Sequence, residues 1–102
     1  MTQIQLKNLY QVDVSTLGAG TELIAVPCIV YEITVTSDAA GDASMNISDT
    51  ITSYATGSRV VKINTSDEQQ TKQVTFPKGK KFSTGVCATA NLASMDVSIT
   101  YE

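Results

Sequence analysis

The sequence predicts an all-β chain, an antiparallel β-sandwich of jelly-roll type with seven or eight strands. Three observations carry that reading. Apolar residues recur at every second position, as in Met95, Val97, Ile99 and Tyr101 set against Ser94, Asp96, Ser98, Thr100 and Glu102. Clusters of turn-forming residues interrupt such runs at intervals of roughly eight to twelve residues. Charged residues make up only 17% of the chain, against about a quarter in an ordinary globular protein. Ser and Thr take their place, and Thr, being β-branched, suits a pleated surface that is half wet. The 102 residues form one domain, 1–102, long enough to bury about 65% of the surface an unfolded chain exposes.

The elements follow in order. From Ile4 to Val14 the even positions Ile4, Leu6, Tyr10, Val12 and Val14 are apolar and the odd ones mostly polar, with Leu9 the exception. This reads as a long or bent strand with one wet face, its apolar even face inward, with an N-terminal strand or arm at 1–15 that contacts a neighbouring subunit as the alternative. GAGT at Gly18–Thr21 breaks the chain. In ELIAVPCIVYEITVTS the second half alternates, with Ile29, Tyr31, Ile33 and Val35 expected inward and Glu32, Thr34 and Thr36 outward. Pro27 cannot donate to a ladder, so the first half is an edge, a bend or the entry to the strand. SDAAGD is turn chemistry, ASMNIS puts Met45 and Ile47 on one face, and SRVVKINT puts Val61 and Ile63 inward. After the SDEQQ turn come TKQVTF, a lysine turn at PKGKK, FSTGVCATA and the final strand, which alternates to Glu102.

Composition narrows the function. Seven Lys and Arg against ten Asp and Glu give a net charge of −3, which disfavours nucleic acid as a partner. No run reaches the roughly 20 apolar residues of a membrane span, and the first residues lack the basic and apolar regions of a signal peptide. Synthesis in a reducing cytoplasm is expected, with Cys28 and Cys87 as buried thiols rather than a disulfide. The chain has no histidine, hence no ordinary general base for a Ser or Cys nucleophile. Asp38, Asp42, Asp49, Asp67 and Glu68 fall in turns, where carboxylates serve backbone conformation. SDAAGD lacks the alternating oxygen ligands and closing Glu of a calcium loop. No enzyme, cofactor or metal is expected. A glycan-binding module is the rival from another class, although Trp is absent and Tyr10, Tyr31, Tyr54 and Tyr101 are scattered.

Two features invite a partner. FPKGKKF gathers Lys78, Lys80 and Lys81 between Phe76 and Phe82. In an acidic protein such a concentrated basic spot can dock on an acidic surface; the plainer reading is a solvated turn that guards a sheet edge. The second feature is parity. Phe82, Val86 and Ala88 share one face and put Cys87 on the other, while Cys28 and Val30 oppose Ile29, Tyr31 and Ile33. With Leu9 and Leu92 they form an apolar set outside the main core, which implies a subunit interface. Alternatively, a bulge at Gly85 or a bend at Pro27 returns them to the core.

FPKGKKFSTGVCATA followed by VSITYE resembles the small virion proteins of tailed bacteriophages. In that group a hairpin of Phe, Gly, Phe and Gly at three-residue spacing, then Leu or Val, precedes a last strand ending in Tyr-Glu. The matching residues are Phe76, Gly79, Phe82, Gly85, Val86, Tyr101 and Glu102, and the likeness runs from about Tyr31 to Glu102. MNISDT departs from the pattern, which carries an aromatic before the Asp and a Gly after it. The resemblance implies a capsid decoration or cement subunit, a homotrimer, seated on the major capsid protein at the virion surface. Tail, baseplate and head-fibre roles are the rivals within the same particle. Partner contacts are expected at Lys78, Lys80, Lys81, Arg59, Thr2, Ile4, Leu6 and Leu9, and subunit contacts at Cys28, Val30 and Cys87.

Overall fold

The computed structural model describes residues 6–16, 20–37, 43–50, 59–65, 70–92 and 94–102. They form eight strands: β1 (Lys7–Gln11), β2 (Thr21–Ile24), β3 (Cys28–Ser37), β4 (Ala43–Ser48), β5 (Arg59–Thr65), β6 (Gln70–Phe82), β7 (Val86–Ala90) and β8 (Met95–Tyr101). The described residues contain no helix, and so none long and apolar enough to cross a membrane. Two four-stranded antiparallel sheets result, one ordered β1-β8-β3-β6 and the other β2-β7-β4-β5. The expected all-β sandwich is therefore what the chain forms.

The pairing has a simple rule. β4 pairs with β5, β3 with β6, β2 with β7 and β1 with β8. The chain is thus one long antiparallel hairpin, with the β4–β5 connection at its tip. Two further ladders, β3–β8 and β4–β7, close this ribbon on itself as two sheets. Between the sheets lies one core, with Val30, Ile33, Val35, Phe82, Met95, Val97 and Ile99 from the first and Met45, Ile47, Ile63, Val86 and Ala88 from the second. The alternation read for Met45 and Ile47, for Ile33 and Val35, and for Met95 to Ile99 agrees with these positions.

Three local readings need correction. On β3, Val30 and Glu32 face the adjacent β8 residues Tyr101 and Thr100, so Tyr31 is one residue too many. This bulge shifts the parity. Cys28 and Val30 join Ile33 and Val35 inside, whereas Ile29 and Tyr31 are only half-buried. The parity reset weighed at Gly85 or Pro27 thus occurs at Tyr31.

On β1 the even face is the outer one. Leu9 lies opposite Ile99 and packs against the core, while Leu6, Tyr10 and Val12 are 54%, 66% and 52% exposed. The inner face of β8 dictates this, because a residue paired with Ile99 must share its side of the sheet. Past β1, Asp13 adopts a φ of +51°. The chain then crosses between sheets: Val14 N–H donates to Met95 in one, and the Ser15 carbonyl accepts from Ala90 in the other. Val14 is consequently buried.

The lysine segment is no turn. Pro77 to Lys81 run within β6, where Phe76, Pro77, Lys78 and Gly79 together stand opposite Tyr31 alone. The strand is an edge, free to bulge, and Gly79 takes a φ of +80° over Ile29 and the Tyr31 ring. Phe76 and Phe82 therefore belong to one strand rather than the two arms of a hairpin.

Candidate docking surface

The residues expected to meet a partner come from distant parts of the sequence, and the strand register decides which of them meet. At one end of the first sheet, Ile29 exchanges both backbone hydrogen bonds with Glu102, at 2.8 and 3.2 Å, and lies opposite Lys81. Lys7 faces Tyr101, so Leu6 continues toward Glu102. One row across the sheet thus runs Leu6, Glu102, Ile29, Lys81. In the second sheet, Arg59 faces Ser48 at the start of β5.

Asp49, which directly follows β4, locks the ends of the two sheets together. Its carboxylate accepts from the backbone N–H groups of Ser83 at 2.9 Å, Thr84 at 2.8 Å and Gly85 at 3.2 Å, the three residues that carry the chain from β6 to β7. Partial burial by itself would raise this carboxyl. The three N–H donors and the nearby Lys80 outweigh it and hold Asp49 below the ordinary carboxylate range.

Leu6, Arg59, Lys80 and Lys81 therefore all lie at one end of the sandwich, with Leu6 and the lysines at opposite edges of the first sheet. Lys78 sits beside them on the bulge, which has a shallow apolar cleft of Phe76, Pro77 and Gly79. The loop from β2 to β3 adds Val26, 59% exposed, at the same end. All four cations are exposed, and Arg59 donates a long hydrogen bond to Asn46 Oδ1 at 3.5 Å. Among the described residues no ion pair holds any of them. Tyr31 donates to Glu102 Oε1 at 3.3 Å. Its phenol is pushed up by partial desolvation and, after that, by the Glu102 charge and this bond. The result is a basic rim around small apolar surfaces. Val26 was missed in the sequence, where the almost continuously apolar run from Leu23 to Val30 has no period to single it out.

Other expected contacts are elsewhere. Leu9 faces the core and offers little to a partner. Cys28, Val30 and Cys87 are 7%, 0% and 2% exposed, so the chain's own fold covers them and they supply no subunit interface. Cys87 does lie opposite the core-facing Val86 and Ala88, as its parity implied. It is buried there beside Gly20, where a Cβ would come within 3.2 Å of its sulfur. Both cysteines remain thiols. Burial raises each of them, helped by the Asp49 charge at Cys28 and the Glu22 charge at Cys87. Thr2 and Ile4, the turn acids Asp38, Asp42, Asp67 and Glu68, and Tyr54 lie outside the described residues.

At the opposite end, a second hollow is lined by Ser44, Lys62, Asn64, Lys72 and Asn91. Among the described residues no three metal-ligating side chains cluster. No protein-family model, curated protein or solved structure matches this chain.

Proposed function

We propose that the protein is a non-enzymatic structural subunit of a tailed-bacteriophage virion that decorates or cements the capsid. It is made in the bacterial cytoplasm and docks on the outer surface of the major capsid protein. The observation that carries this is the convergence of Leu6, Arg59, Lys80 and Lys81, with exposed Val26, on one end of the sandwich. Basic groups around small apolar surfaces fit an acidic protein face: desolvated apolar contact supplies affinity and charge sets orientation. Copies acting together as a homo-oligomer on a lattice gain avidity, so each contact can be weak alone. The nested strand order supports reading the sandwich as a jelly roll, an architecture at home in viral shells.

Mixing purified protein with undecorated capsids and measuring co-sedimentation and copy number tests the reading. Saturation at a stoichiometry allowed by capsid symmetry is expected. Reversing Lys80 and Lys81 to Glu should weaken binding about tenfold or more and flatten its salt dependence. A stoichiometry fitting no capsid symmetry, or binding indifferent to both reversals, sinks the proposal. Microscopy that places the protein on tails moves it to the tail or baseplate.

A further inference from the structure

The two edges of the first sheet are not alike. β6 carries the devices that keep an edge strand from pairing: Pro77, a wide bulge, and Lys72, Lys78, Lys80 and Lys81. β1 has neither proline nor bulge, and a single lysine, Lys7, at its first position. Among the described residues its only ladder is with β8, unbroken from Lys7 to Gln11. It and its flanks also hold Leu6, Tyr10 and Val12, three of the four large hydrophobic side chains exposed among the described residues. An edge of this kind is a template for another strand.

We infer that the occupant is β1 of a second copy, paired antiparallel about a two-fold axis through Leu9. The segment is self-complementary in that register. Leu9 meets its own counterpart, Asn8 faces Tyr10, Lys7 faces Gln11, and the exposed Leu6 faces the exposed Val12 on both sides of the axis. Charge agrees as well. Lys7, the one cation of β1, faces Gln11, so no like charges stand opposite each other across the axis. Since a two-fold normal to the sheet keeps the outer faces together, Leu6, Tyr10 and Val12 of both copies form one strip. Pairing β1 with β6 would instead meet Pro77 and the bulge.

This inference deepens the homo-oligomer in the proposed function and replaces the trimer implied by the resemblance with a two-fold pair. Light scattering of the full chain should show a concentration-dependent dimer. Leu6→Cys and Val12→Cys, both at exposed positions, should form disulfide-linked pairs quickly when mixed and slowly when kept apart, because only the mixture juxtaposes the thiols. Val12→Lys should raise the dimer dissociation constant about tenfold or more and leave the urea midpoint of the monomer unchanged. A trimeric mass, a monomer at the highest soluble concentration, faster linkage of either single variant alone, or a dimer unmoved by Val12→Lys would each overturn the inference. Capsid co-sedimentation separates it from the docking proposal. Val12→Lys should still reach the capsid, and the Lys80 and Lys81 reversal should still dimerise.

Discussion

Asp49 shows how much one side chain can organise. Three backbone N–H groups of the β6–β7 connection have their acceptors in its carboxylate. Asp49→Asn keeps the shape but loses the charge and one acceptor oxygen, and should cost about 1–2 kcal/mol in urea unfolding near neutral pH. Because the folded-state carboxyl lies below its unfolded value, this contribution is fully present above about pH 4 and fades as pH falls through the lower folded value. The gap between wild type and Asp49→Asn should therefore narrow in acid; a gap that widens contradicts the assignment. Gly79 is the second such position. A Cβ there would lie 2.5 Å from Ile29 Cγ2 and 3.0 Å from Tyr31 Cε1, on a backbone with φ of +80°. Gly79→Ala should lose about 2–3 kcal/mol from strain and crowding together. Adding Ile29→Ala should relieve the crowding but not the strain, so a double-mutant cycle separates the two.

At the scale of the element, β1 and β3 each turn on one residue of register. Alternation in residues 4–14 marks a strand, but it fits either face, and only the pairing of Leu9 with Ile99 selects one. Leu9→Ala should consequently cost about 1–2 kcal/mol, as loss of partly buried aliphatic surface does. Tyr10→Ala should cost less than about 1 kcal/mol, chiefly for the exposed hydrogen bond to Asp96. Chemical denaturation of both variants checks the order, and the reverse order would restore the even face to the core. The Tyr31 bulge was equally hidden. Nothing in CIVYEIT marks an extra residue, since Ile29 and Tyr31 are as apolar as Cys28 and Val30. Similarly, PKGKK has the composition of a turn yet continues an edge strand, because an edge needs hydrogen bonds on one side only.

For the whole molecule, the nested order means that nearly every ladder joins distant segments, up to Lys7 with Tyr101. Among these ladders only β4–β5 joins strands that are consecutive along the chain. Folding should therefore be slow for a chain of this size, in about the millisecond-to-second range typical of β-sandwiches. Stopped-flow refolding measures it, and microsecond folding would be inconsistent with this topology. The same wrapping brings Leu6, Arg59, Lys80 and Lys81 to one end and sets β1 at an edge of the first sheet. Strand content, the punctuation between most strands and the core faces of β4, β5 and β8 were legible from alternation, because a period of two and the chemistry of turn residues are local. Face selection in β1, the bulges in β3 and β6, and the burial of Cys28, Val30 and Cys87 were not. They depend on which distant strand supplies the hydrogen bonds and the covering side chains, and a one-residue slip there exchanges inside for outside.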